Sequence, residues 1–199
     1  MTDSEAASGM EVSKKPDPTN GQNAGVKSGL KALLWGVAAA LSAVVIYNLT
    51  VWLPASNQLA EDTRNRDVGI HVYRTALVHP TDITIDLVTA GPISTADLMR
   101  ALFQIAERFE ARGFGKVTLA RNGKAIFVVP GDEFRTIGRE YGMGQNPVYL
   151  MRTLPERVET PDGAPAFGNW TGGWLGVMTR QVEDANAFGE AWVAGRRPN

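Results

Sequence analysis

The sequence ALLWGVAAALSAVVIYNLTVWL, residues 32–53, contains no charged side chain and is followed directly by Pro54. A helix needs roughly 20 apolar residues to cross about 30 Å of hydrocarbon, and its backbone groups are paired internally, as lipid requires. The stretch therefore predicts one transmembrane helix. Trp35, Tyr47 and Trp52 lie towards its ends, where aromatic side chains favour the membrane interface. A cleaved signal peptide is the alternative interpretation, but its apolar core is only about 7–15 residues long.

The charges that flank this span predict its orientation. Four lysines precede the span and two arginines follow it at a comparable distance: Lys14, Lys15, Lys27, Lys31, Arg64 and Arg66. Because positive charge is enriched on the cytoplasmic side, the N-terminus is predicted to be cytoplasmic. The protein is thus expected in the cell inner (plasma) membrane as a single-pass protein, with its C-terminal part periplasmic or extracellular. Residues 1–31 are rich in Ser, Gly, Asn and Pro, which predicts a disordered tail.

Small residues recur four positions apart within the span. Gly36 with Ala40, and Ala39 with Ala43, form pairs that allow a second helix to approach closely. We therefore predict self-association through these four positions as a homodimer. An alanine-rich span also produces such pairs by chance, so the alternative is a monomeric anchor.

The part of the chain after the span has the size and composition of one domain. We predict a polar linker over residues 54–68 and a soluble domain over residues 69–199, long enough to bury its own core. Residues 61–199 carry 16 Lys and Arg against 17 Asp and Glu, so binding to nucleic acid is not predicted. The absence of cysteine excludes disulfides, thiolate metal sites and cysteine nucleophiles.

Hydrophobic periodicity divides the domain into alternating strands and helices. Apolar residues alternate over residues 70–78 and 82–90, which predicts two strands. A helix is predicted from Ser94, an N-cap residue, to a stop at Gly113. Two strands then follow over residues 116–129, joined by the hairpin dipeptide Asn122-Gly123.

The last third of the domain is predicted to hold a short helix, a strand and a long helix. The short helix starts with Asp132 as its cap, and VYLMRTL, residues 148–154, is the strand. The long helix covers residues 173–194, with an apolar stripe of Met178, Val182, Ala185, Phe188 and Trp192. The predicted fold class is α+β: a ferredoxin-like βαββαβ core with an extra N-terminal strand and a C-terminal helix.

No catalytic, metal-binding or cofactor-binding residue is predicted. His71 and His79 are the two histidines, and they occupy no known metal-ligand pattern. Acidic residues around the short helix, Asp132, Glu133 and Glu140, are typical of capping and of the helix dipole rather than of acid-base chemistry. No nucleophile motif surrounds any serine.

One segment, NWTGGWLG at residues 169–176, differs from the rest in composition. Trp170 and Trp174 flank Gly172 and Gly173 at the predicted start of the last helix. Indoles provide rigid apolar contact and glycines admit a close backbone, so these four residues are candidates for partner binding. The alternative is structural: the same residues pin the last helix to the sheet, and Gly176 allows close packing.

These sequence features are compatible with two functions from different classes. The first is a single-pass membrane protein whose outward domain binds a protein partner, as a subunit or scaffold of a cell-envelope assembly. The second is a membrane-tethered enzyme or small-ligand binder. A flat patch of exposed aromatic residues favours the first, and a pocket where Arg, Asp or Glu side chains converge from three or more elements favours the second.

Overall fold

The computed structural model describes residues 19–196 of the chain, with side chains from residue 31 onward except that of Trp174. The chain divides after Ser42 into two compact units. The described part of the first unit is helix, whereas the second contains a four-stranded sheet with helices. The mixed α+β class predicted from the sequence is therefore confirmed.

The N-terminal helix, α1, is longer than the predicted span. It covers Thr19–Glu61, 43 residues, and so begins inside the predicted tail, whose residues 1–18 lie outside the described residues. Every side chain over residues 31–42 is exposed. Among the described helices, α1 alone is long and apolar enough to cross a membrane, which is compatible with a single-pass membrane protein.

Helix α1 does not end at Pro54, so the linker predicted over residues 54–68 is wrong for residues 54–61. Proline has no backbone N–H, which leaves the carbonyl of Thr50 without its normal helical partner. The guanidinium of Arg112 donates a hydrogen bond to that carbonyl at 3.0 Å. Residues on one side of α1 are buried in the domain core: Val51 before Pro54, and Ala55 and Leu59 after it. The helix is thus both the apolar segment and a core element.

The sheet contains four strands in sequential order. They are β1 Val68–Arg74, β2 Ile83–Ala90, β3 Lys116–Arg121 and β4 Lys124–Pro130. The β1/β2 and β3/β4 pairs are antiparallel, and the β2/β3 pair is parallel. The helix between β2 and β3 forms the crossover that a parallel pair requires.

Four more α-helices lie in the described part of the domain: α2 Thr95–Arg108, α3 Gly131–Gly142, α4 Pro147–Thr153 and α5 Trp174–Ala194. Helix α2 lies at the centre of the core, because its residues 98–106 are all buried. The predicted cap is confirmed, since the Ser94 hydroxyl accepts a hydrogen bond from the Asp97 amide at 3.1 Å. The predicted hairpin is also confirmed, with positive φ at Asn122 and Gly123.

The ferredoxin-like arrangement is not confirmed. Its last strand was predicted at residues 148–154, but this segment belongs to helix α4. Asn146 caps α4 by accepting from the Val148 amide at 2.9 Å, and Pro147 occupies the first helical turn. These two start signals indicate a helix, whereas the short apolar run of this segment does not by itself distinguish a helix from a strand.

Three finer predictions also need correction. Strand β1 ends at Arg74 rather than residue 78, because Ala76 and Leu77 adopt positive φ. Asp132 lies in the first turn of α3, whose N-cap is Pro130. In α5, Val182 is 48% exposed, and Gln181 occupies the buried stripe with Ala185, Phe188 and Trp192.

Candidate partner-binding site

A groove runs between helices α4 and α5 and has a volume of about 600 Å³. Its walls include Tyr149 and Arg152 from α4, Trp170 and Gly172 from the segment before α5, and Met178 from α5. The structure therefore brings two of the four predicted partner-binding residues to one concave surface. We call this surface the α4/α5 groove.

Trp170 is fixed in the wall of the groove by polar contacts. Its indole N–H donates to a carboxylate oxygen of Asp184 at 2.6 Å, and the guanidinium of Arg180 lies 5.5 Å from the ring centre. The ring is nevertheless 38% exposed. A held but exposed indole gives apolar contact area to a partner at little entropic cost.

The glycines of this segment do not serve close packing. A side chain added at Gly173 or Gly176 would meet no atom within 4 Å, so the predicted packing role of Gly176 is wrong. Gly173 occupies the N-cap position of α5 with ordinary extended dihedrals. Gly172 differs, because its φ of 135° lies in the region that favours glycine. Trp174 is the first residue of α5, and its side chain lies outside the described residues.

Arg152 contributes an unsatisfied polar group to the same groove. Its Nε atom is buried and has no hydrogen-bond partner among the described residues. The guanidinium lies 5.8 Å from the centre of the Tyr149 ring. Arg152 therefore lines the groove with a guanidinium whose Nε atom the described residues leave unpaired.

Exposed apolar side chains also lie on α4 and α5 outside the groove. Val148 of α4 is 66% exposed, and Leu175 and Val182 of α5 are also exposed. A smaller cavity of about 150 Å³, lined by Val148, Met151, Arg152 and Val182, adjoins the groove through Arg152. The surface formed by α4 and α5 thus combines aromatic and apolar groups with polar ones, since Thr153, Glu156 and Gln181 also line the groove.

The acidic residues near α3 form structural ion pairs rather than a reactive site. Arg157 lies 2.9 Å from Glu140 and 3.9 Å from Glu133, which links the segment after α4 to α3. Asp132 pairs with Arg135 within its own helix. His79 accepts a hydrogen bond from the Asp82 amide at 3.2 Å. Among the described residues, no three His, Asp or Glu side chains are arranged to hold a metal ion.

A second polar cluster joins the C-terminal end of α1 to α2. Asp62 accepts hydrogen bonds from Arg64, Arg100 and Gln104, and Gln104 in turn accepts one from Asn65. The hydrogen bonds from Arg64 hold the pKa of the Asp62 carboxyl well below its usual range, and Gln104 and Arg100 lower it further. A groove of about 410 Å³ adjoins this cluster. Its charged lining residues, Asp62 and Arg66, both lie in the connection between α1 and β1. Neither this groove nor the α4/α5 groove gathers Arg, Asp or Glu from three elements.

The four predicted self-association residues lie on α1. Gly36, Ala39, Ala40 and Ala43 are all exposed, and nothing lies within 4 Å of a side chain added at Gly36. Their role in a homodimer stays a prediction.

Sequence reasoning missed Tyr149 and Arg152, because the segment that carries them was predicted as a strand. The signal that could have placed them was Asn146-Pro147, a pair typical of a helix start. Comparison with known proteins adds no further assignment: no family model matches the chain, and no curated protein or solved structure is significantly similar to it.

Proposed function

We propose that this chain is a single-pass membrane protein whose outward-facing α+β domain binds a protein partner through the α4/α5 groove, as a subunit or scaffold of a cell-envelope assembly. The N-terminus is cytoplasmic in this proposal, following the distribution of positive charge around the span. The observation that carries the proposal is the combination of Trp170, Tyr149 and Arg152 on one concave surface.

Residue types and environment both support protein binding at this surface. Trp, Tyr and Arg are the residues that most often dominate binding energy at protein interfaces. Here the exposed apolar residue Val148 precedes Tyr149 in α4. The expected partner segment inserts apolar side chains into the groove and places a carbonyl or carboxylate oxygen against Arg152.

The test is affinity purification of the detergent-solubilised full-length protein, compared with a Trp170→Ala plus Tyr149→Ala variant. Truncating two central aromatic groups is expected to weaken binding at least tenfold, about 1.4 kcal/mol. The purified partner should therefore be stoichiometric with the original protein and strongly depleted with the variant.

The matched control is Met143→Ala, since Met143 is an apolar residue that is 79% exposed and lies outside the groove. This control should recover the partner in the original amount. If the double variant also recovers it in full, the α4/α5 groove is not the binding surface.

A further inference from the structure

The domain contacts helix α1 at a residue that lies within the uncharged stretch, residues 32–53. The Asn48 side chain donates to the carbonyl of Leu77 at 2.8 Å and accepts from the amide of Arg74 at 2.8 Å. Arg74 is the last residue of β1, and Leu77 lies in the connection between β1 and β2. Asn48 comes five residues before Leu53, the end of the uncharged stretch. The folded domain therefore begins before the apolar run ends.

This contact shortens the part of α1 that is free to enter lipid. Only residues 32–47 are both uncharged and ahead of the contact, and at about 1.5 Å per residue they span about 24 Å. The hydrocarbon core is about 30 Å thick. A short span is accommodated by bilayer thinning and by extension of flanking side chains to the interface. Either response brings the bilayer surface up to Asn48 and to the loop that contacts it.

That loop, residues 75–81, presents apolar side chains beside the helix. Leu77 is 52% exposed and Val78 is 59% exposed. Ala76 and Leu77 have φ values of 50° and 65°, which non-glycine residues rarely adopt. The strained backbone turns the Leu77 carbonyl towards Asn48. Strain of this kind persists where the surrounding structure enforces it, and it clusters at functional sites.

Positive charge lies at the same end of the domain. The Arg74 guanidinium lies 4.8 Å from the Tyr47 ring centre, and Arg112 contacts the Thr50 carbonyl. Among the described residues, no carboxylate lies within ion-pair distance of Arg74, Arg108 or Arg112. Burial and the neighbouring charges of Arg74 and Arg108 lower the pKa of Arg112. These cations lack a counter-ion within the described part of the chain.

We propose that this membrane-proximal face, formed by Tyr47, Arg74, Leu77, Val78 and Arg112, lies on the lipid bilayer. Leu77 and Val78 enter the headgroup region, and the arginines contact lipid phosphates. Exposed apolar side chains next to cations and an aromatic ring are the composition of interfacial segments. The inference rests on the proposed membrane anchoring of α1. It goes further, because contact of this face with lipid would hold the domain against the bilayer rather than leave it on a free tether.

The natural absence of cysteine makes the test direct. Full-length Val78→Cys protein is labelled with a nitroxide and reconstituted into vesicles of phosphatidylethanolamine and phosphatidylglycerol. Collisions of the label with oxygen, which concentrates in lipid, are compared with those of a water-soluble nickel complex. Met143→Cys is the matched control, because Met143 is 79% exposed and does not belong to the membrane-proximal face.

The expected result is at least a severalfold higher ratio of oxygen to nickel accessibility at position 78 than at position 143. Equal ratios at the two positions, with the protein floating together with the vesicles, would overturn the docking and leave the anchor intact. Protein that does not float with the vesicles would overturn both.

Discussion

Replacing Trp192 with alanine is expected to lower the free energy of unfolding by about 3–5 kcal/mol, the range for a large aromatic residue removed from a core. The Trp192 side chain is fully buried in α5 and packs 5.8 Å from the Phe188 ring. Its indole N–H also donates to the carbonyl of Ala120 in β3 at 2.8 Å. The substitution therefore removes apolar packing and a buried hydrogen bond between α5 and the sheet.

Two further variants separate these contributions. Trp192→Phe keeps much of the ring but loses the hydrogen bond, so a cost of about 1–3 kcal/mol is expected. Val193→Ala, at a neighbouring and partly exposed position, should cost little. Urea unfolding in mild detergent, followed by near-UV circular dichroism, measures all three. A loss below about 1 kcal/mol for Trp192→Ala would contradict the packing of α5 described above.

Replacing Gly138 with alanine is expected to destabilise the domain by about 3 kcal/mol, the upper end of ordinary overpacking costs. A side-chain carbon at this position would lie 2.3 Å from the carbonyl oxygen of Ala106 and 2.5 Å from its carbonyl carbon. Both atoms belong to the backbone of α2. Backbone atoms cannot move aside as the end of a flexible side chain can. Helices α2 and α3 would have to separate along their contact.

The matched control for this prediction is Gly176→Ala in α5. An added carbon there meets no atom within 4 Å, and alanine is favoured over glycine in a helix by about 0.5–1 kcal/mol. The control is therefore expected to stabilise the protein slightly in the same urea experiment. If Gly138→Ala were also neutral or stabilising, the close approach of α2 and α3 would be wrong.

The elements with strong local signals could be predicted from the sequence. Helix α2 has a capping residue at Ser94 and a clear apolar period, and the β3/β4 hairpin has Asn122-Gly123 at its turn. Both formed as expected, because local chemistry and burial favour the same structure there. The strand order could not be derived in this way, since it depends on which strand edges meet across the core.

The larger errors arose where tertiary contacts override a local signal. Pro54 alone predicts the end of α1, but Arg112, 58 positions further along the chain, supplies the donor that proline lacks. The candidate site was predicted in part for a related reason. Trp170 and Gly172 stand out in composition, whereas Arg152 acquires its unsatisfied Nε atom only when α4 packs against its neighbours.

The central claim is that α1 anchors the chain in lipid and also completes the domain core. Alkaline carbonate extraction of membranes that contain the full-length protein, followed by detergent extraction of the pellet, tests this claim most directly. The protein is expected to stay in the pellet through the alkaline step and to be released, still folded, only by detergent. Recovery of the full-length protein as a soluble, folded species without detergent would contradict it.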